Sequence, residues 1–312
     1  MRSEAVGNYC QGGQVRDYFL ARAEDIASFY YLRYQRLQYL WYRTTKPRVR
    51  DFLDVGFGID LRSCRFREAW AHHLVRTRSF INEATKEGGD EVVVLGVGRL
   101  RDCPLAELVE RFSQVILIDV DPRVIAWCRG AVRRFGGRVF CEETDVTGVF
   151  GEWSEALKAI KGEGEEQVSG YLGKVVAPKR WWSDDTVISL NLLSQIGVMW
   201  RDRVEGILGP DTAQMGNVAE ATSSAIARLE RAHSLGLAAA ERSVLVADRF
   251  FYSAHQRRGP WEVEDALYGL WPEQLPGRRD WLRGSWLWQL VPPDGEREGE
   301  EIVHEVWARA FQ

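Results

Sequence analysis

Apolar positions along the chain recur first with a helical period, then as short β-branched runs separated by helical stretches. From about Val15 to Thr85 the spacing is helical: Leu20, Ala23, Ile26, Ala27, Tyr30, Tyr31, Tyr34 and Leu37 fall three and four apart and share one face. Thr44-Thr45-Lys46-Pro47 breaks the pattern, and Phe66 to Ala84 resumes it with Trp70, Leu74, Thr77, Phe80 and Ile81 on one side. At Gly88-Gly89-Asp90 the rhythm changes. Residues 91–95 and 115–119 are short apolar runs of the kind found in strands buried on both faces. Residues 138–141, 185–191 and 243–248 continue the series, with helices predicted over 122–134 and 213–235. Such alternation predicts a parallel sheet covered by helices on both faces. Residues 286–291 and 302–310 read as two strands with only the polar Pro292-Pro293-Asp294-Gly295 connection between them. They predict an antiparallel C-terminal hairpin, which brings the expected sheet to seven strands. Residues 161–179, rich in Gly and charge, read as a surface excursion. The expected organisation is a helical cap over 1–89 and a sheet domain over 90–312.

Composition narrows the function class. Lys and Arg number 41 against 45 Asp and Glu, a net charge of −4, so the chain lacks the basic excess of a protein that grips nucleic-acid phosphates. No apolar run reaches the roughly 20 residues of a membrane span. Residues 1–7 have no apolar segment of signal-peptide type, so a cytoplasmic protein is expected. The five cysteines form no Cys-x-x-Cys pair, and the five histidines have no ligand spacing. Reduced thiols and no metal are therefore expected. Oligomeric state is open: the helix over 213–235 serves a dimer or covers the sheet.

One loop carries the ligand chemistry. Val93-Val94-Leu95-Gly96-Val97-Gly98 leaves the first strand into a glycine bend, where backbone approaches a ligand without a Cβ in the way. Asp102 reads as an N-cap and Pro104 as the first helical position. Asp119, at the end of the second strand, lies 23 residues after Gly96. That is close to the ~20-residue offset at which a carboxylate accepts from ribose hydroxyls. A dinucleotide fingerprint would need Gly at 101, where the chain has Arg101. A nucleoside without a pyrophosphate removes that requirement.

With these motifs the chain resembles the class I S-adenosyl-L-methionine (SAM)-dependent methyltransferase family over residues 91–311. Leu95-Gly96-Val97-Gly98 looks like its first motif and Ile118-Asp119-Val120-Asp121-Pro122 like its ribose-binding second motif. Glu143-Thr144-Asp145-Val146 resembles the stretch whose Asp bonds the adenine amine. The resemblance implies a Rossmann-like doubly wound fold, SAM as cofactor, and Gly96, Val97, Gly98, Asp119, Val120, Asp145 and Asn191 as its contacts. The family's acidic residue two before the first Gly is Val94 here, and its third Gly is Leu100. Asp102 or a residue of the N-terminal helices is a candidate to replace the lost carboxylate. The chain is also similar to a bacterial branch with a helical N-terminal extension, and to enzymes of similar layout that cyclise SAM to azetidine-2-carboxylate. Methyl transfer to a small metabolite is the expected activity, with SAM cyclisation and a non-catalytic SAM-fold scaffold as alternatives.

Asn191, Ser194 and Gln195 follow the fourth strand, where polar groups can hold a substrate in line with the sulfonium; Ser194 can equally cap a helix. Asp121 flanks the nucleoside or caps the helix begun by Pro122, and Asp145 contacts adenine or turns its own loop. Tyr31, with Tyr30 and Tyr34, is a core stripe or an aromatic lid that stabilises the sulfonium and excludes water; Trp181-Trp182 offers the same choice. Asn191, Tyr31 and Ser194 are the expected catalytic residues. Of His72 and His73, about 100° apart on a helix, at most one faces a pocket. His304 reads as structural. Asp54-Val55-Gly56-Phe57-Gly58-Ile59-Asp60 spells the first motif better than 94–100 does, but no buried strand precedes it, so it reads as a turn between helices.

Overall fold

Apolar β-branched runs, too short for helices and buried on both faces, build a single mixed sheet. The computed structural model describes residues 33–46, 49–176, 182, 185–255, 260–267, 275, 277–293 and 300–312. Helices α1 (33–45), α2 (Arg50–Arg65) and α3 (Arg67–Ala84) precede strand β1 (Gly89–Leu95). There follow α4 (Leu105–Arg111), β2 (Phe112–Asp119), α5 (Pro122–Ala131), a 3-10 segment (Val132–Arg138), β3 (Val139–Glu143), α6 (Phe150–Ala159), α7 (Glu165–Leu172) and β4 (Thr186–Leu190). The remainder is α8 (Leu192–Leu208), α9 (Pro210–Ala213), α10 (Gly216–Ala238), β5 (Arg242–His255), β6 (Glu262–Asp265), β7 (Asp280–Val291) and β8 (Glu300–Phe311).

The sheet order is β3-β2-β1-β4-β5-β8-β7, parallel from β3 to β5 and antiparallel through β8 and β7. This is the doubly wound, Rossmann-like arrangement with an antiparallel C-terminal hairpin. An eighth strand, β6, pairs with the far half of β5 and corrects the expected seven. It fits because β5 bends at the register shift between Asp248 and Phe250 and runs on beyond β4. Alternation within β1 sorts the core. Val92 and Val94 face α3, α4 and α5, whereas Val93 and Leu95 face α8 and α10.

Several local expectations change. Residues 165–172 form α7, whose Val168 and Leu172 pack with Ile226 and Leu229 of α10; a stretch rich in Gly and charge still supplies one apolar face. Residues 54–60 are not a turn but the middle of α2. In α1 the buried residue is Gln35, while Tyr34 and Leu37 are exposed among the described residues. Tyr30 and Tyr31 lie outside those residues, as does Trp181. No helix among the described residues is long and apolar enough to cross a membrane.

Candidate functional site

From β1 the sheet extends one way to β2 and β3 and the other way to β4 and β5, so the loops after β1 and β4 diverge. Open α/β sheets bind ligands in the crevice at such a switch point. Here it holds a cavity of about 240 Å³. The bend after β1 is left-handed at Gly96 (φ 73°) and Gly98 (φ 49°). At Gly96 a Cβ would come within 2.9 Å of the Leu190 carbonyl oxygen, so only glycine lets the β1 and β4 loops meet. Beside Gly98 there is open space, and both glycines line the cavity. Val97 is buried in the core, so its backbone alone is near the bend.

Asp119 closes β2 against this bend. Its Oδ2 accepts from the Gly98 N–H at 3.0 Å and its Oδ1 from the Asp121 N–H at 2.9 Å. Burial pushes the carboxyl up to about 6. Each oxygen still has accepting capacity, and the residue lines the cavity beside Val120. A carboxylate so placed accepts two neighbouring hydroxyls. Asp121 caps α5, accepting from the Arg123 N–H at 2.8 Å and pairing with the Arg123 guanidinium. Asp145 also lines the cavity, but its carboxylate holds its own loop: Oδ1 accepts from the Thr147 N–H and hydroxyl, and Oδ2 from the Phe150 N–H. Val146 and Phe150 continue this apolar side.

The strand-to-helix turn after β4 is made by Asn191 in the left-handed region (φ 48°), a conformation that asparagine adopts more readily than other non-glycine residues. Its N–H donates to the Val246 carbonyl at 2.8 Å, and its Nδ2 to Asp102 Oδ2 at 3.4 Å. Asn191 Oδ1 is buried without a partner among the described residues. Asp102 does not cap α4, where Pro104 holds the cap position without a side-chain bond. It lies in the cavity wall instead, and burial pushes its carboxyl up to about 6. Val94, the position without a carboxylate, is fully buried in the core.

Ser194 is corrected. The phase of α8 turns it away from the cavity, and its hydroxyl donates to Asp248 Oδ2 at 3.3 Å. Gln195, one position on, lines the cavity with Ile196 and Met199. His72 is exposed, while His73 is buried and lines the cavity. His304 Nδ1 lies 3.3 Å from Asp248 Oδ2, and Trp182 packs against the core. Among the described residues no group of His, Cys, Asp and Glu is placed to hold a metal ion.

The wall facing the sheet comes from α2 and α3, through Phe52, Val55, Ile59, Trp70 and Leu74. A buried ion cluster, missed in the sequence, locks it down. Asp60 of α2 accepts from Arg99 at 3.2 and 3.0 Å, and Arg123 lies 3.9 Å away. Arg99 also donates to Gln35 of α1, and Arg123 to the Leu53 carbonyl at 3.1 Å. The two glycines in residues 54–60 were the available signal. Gly56 sits against Asp121 and Arg123, where a Cβ would be 2.6 and 2.8 Å from their side chains.

No family model and no curated protein matches the chain. Among solved structures it is similar to the N-methyltransferase NodS from Bradyrhizobium japonicum, at 11% identity over 75% of this chain and 94% of that one, with a TM-score of 0.32. It is also similar to magnesium protoporphyrin IX methyltransferase (ChlM) from Synechocystis, at 13% identity over 79% and 83%, TM-score 0.34. A SAM-dependent methyltransferase from Aquifex aeolicus matches at 10% identity over 74% and 88%, TM-score 0.30. Likeness at this level carries no argument about ligands, so the functional reading rests on the cavity's own residues.

Proposed function

We propose that the chain is a SAM-dependent methyltransferase acting on a small metabolite. The observation that carries this reading is Asp119, tied to the Gly98 N–H at the lip of the bend and open to the cavity. The wall suits the rest of the cofactor. Val120, Val146 and Phe150 offer an apolar slot for adenine, and Asn191 Oδ1 is a buried acceptor awaiting a donor. Asp102 and Asn191 together would hold an ammonium group, which takes over the function of the carboxylate absent at Val94. Bound SAM supplies a methyl group on a cationic sulfonium, open to in-line attack by a nucleophile. The chain's part is then positioning: Asp119 and the Asp102–Asn191 pair fix the two ends, and the nucleophile must sit about 3 Å from the methyl carbon. The α2 and α3 wall excludes water from that point and suits an acceptor small enough to enter.

Calorimetric titration with SAM tests the site. Asp119→Ala is expected to weaken binding by about 1–3 kcal/mol through loss of charged hydrogen bonds. Unchanged affinity removes the assignment. Incubation with SAM alone, read by mass spectrometry, tests the reaction. Saturable binding without turnover fits methyl transfer to a separate acceptor. Methylthioadenosine with azetidine-2-carboxylate would show cyclisation instead, and absence of binding would show a scaffold.

A further inference from the structure

The two N–H groups that hold Asp119 come from different loops, Gly98 after β1 and Asp121 after β2. Each is followed closely by a buried arginine. Arg99 comes directly after Gly98, and Arg123 two positions after Asp121; they are 7% and 0% exposed. Arg99 spans the gap between the loops. Its Nη1 donates to the Arg123 carbonyl at 3.1 Å, while its Nε and Nη2 donate to the two oxygens of Asp60 on α2 at 3.2 and 3.0 Å. A fork of this kind fixes the plane of the guanidinium as well as its distance. Asp60 is itself buried. Arg123 pairs with Asp121 and donates to the Leu53 carbonyl of α2 at 3.1 Å. The α2 backbone is shaped to the same pair, since a Cβ at Gly56 would stand 2.6 Å from the Asp121 side chain and 2.8 Å from that of Arg123. Gly56 and Asp60, one helical turn apart, therefore address both of the loops that supply donors to Asp119.

We propose that Asp60 and Arg99 are positioning residues of the nucleoside site. Asp60 sets the orientation of Arg99, and Arg99 holds the Gly98 and Asp121 N–H groups at the spacing that leaves the outer lone pairs of Asp119 to a ligand. The role rests on the reading of Asp119 as the ribose carboxylate. Charge acts in the same direction. Burial raises the Asp119 carboxyl and the Asp121 carboxylate adds to it, whereas the two N–H bonds and the Arg99 guanidinium oppose the rise. The helix α2 is then a working part of the binding site as well as a wall over it.

Methylthioadenosine binding and amide hydrogen exchange are measured on the full chain and on Arg99→Lys, Arg99→Gln and Phe80→Leu. Lysine keeps the charge without the fork, and glutamine loses both. Phe80 is buried in α3 and lies outside the cavity, so Phe80→Leu lowers stability without touching either charge and controls for a purely structural effect. Every variant is compared with the parent at a temperature where circular dichroism shows it folded. Both Arg99 variants are expected to bind about tenfold more weakly, and Phe80→Leu to bind as the parent does. The loss of affinity towards acid should move to higher pH, further in Arg99→Gln than in Arg99→Lys, because the Asp119 carboxyl loses a neighbouring cation. Exchange of the Gly98 and Asp121 amides, followed by NMR without ligand, should quicken about tenfold in the Arg99 variants relative to Phe80→Leu. If Arg99→Gln does not fold, Arg99→Lys decides. The proposal is overturned if the folded Arg99 variants match the parent in affinity and pH profile, or if Phe80→Leu shares their loss. A parent that binds no methylthioadenosine overturns the SAM reading. Amide exchange then decides the brace, which falls if Gly98 and Asp121 are as protected in Arg99→Lys as in Phe80→Leu.

Discussion

Asn191 shows how one residue combines backbone conformation and chemistry. Asn191→Gly keeps the left-handed turn and removes the amide; we expect a fold of unchanged melting temperature with weaker SAM binding. Asn191→Leu is expected to lose about 1–2 kcal/mol of stability as well, because a branched chain gains nothing in the left-handed region. Denaturant titration beside calorimetry separates the two effects. The carboxyls of Asp119 and Asp102, both pushed up to about 6, set a second expectation. Their ionised forms accept from the ligand, so SAM affinity is expected to fall as pH drops below about 6. Methylthioadenosine, which leaves Asp102 unengaged, should show the smaller fall, and Asp119→Asn should flatten it. Asp119 was legible in the sequence because a strand end and a glycine bend define its place locally. Ser194 was not, since one step of helical phase, about 100°, separates it from the cavity-facing Gln195.

Among the elements, α2 departs furthest from its sequence reading. Residues 54–60 read as a turn because no strand precedes them, and two glycines within five residues, each disfavouring a helix by about 1 kcal/mol relative to alanine, gave no local signal for one. Packing overrides that reading: Gly56 admits the Asp121–Arg123 pair, and Asp60, one turn on, meets Arg99. The glycines should consequently respond with opposite signs. A Cβ at Gly58 meets nothing within 4 Å, so Gly58→Ala is expected to stabilise by about 1 kcal/mol. At Gly56 it collides with buried charged groups, and overpacking of about 1–3 kcal/mol outweighs the propensity gain. Asp60→Ala leaves two buried guanidiniums without their shared carboxylate, a loss of about 3–5 kcal/mol. Chemical denaturation of the three variants checks all three values.

At the scale of the whole molecule, the buried carboxyl of Glu230 on α10 sets the pH dependence of stability. Neither carboxylate oxygen has a partner among the described residues, and burial pushes its pKa up to about 8. The folded state thus holds a proton that the unfolded chain releases near its ordinary value of 4.5. Its contribution is full below pH 4.5 and is lost as pH rises towards about 8. Glu230→Gln is expected to melt progressively above the parent as pH rises through that window. His73 and His233 act in the opposite sense, with burial lowering both to about 4. Their contribution is present above pH 6.5 and lost as pH falls towards 4.

The parallel strands, their helical crossovers, the C-terminal hairpin and the place of Asp119 followed from the sequence alone. Each depends on a local period or a short spacing, which burial on one or both faces imposes directly on residue type. The α2 and α3 wall of the cavity, the turn of Ser194 towards Asp248, the fit of Asp102 beside Asn191 and the bond from Trp286 to His73 were decided only in three dimensions. They join residues up to more than two hundred positions apart, such as His73 and Trp286. A buried charge or N–H takes its partner from whichever element packs against it, and no local pattern in the chain encodes that choice.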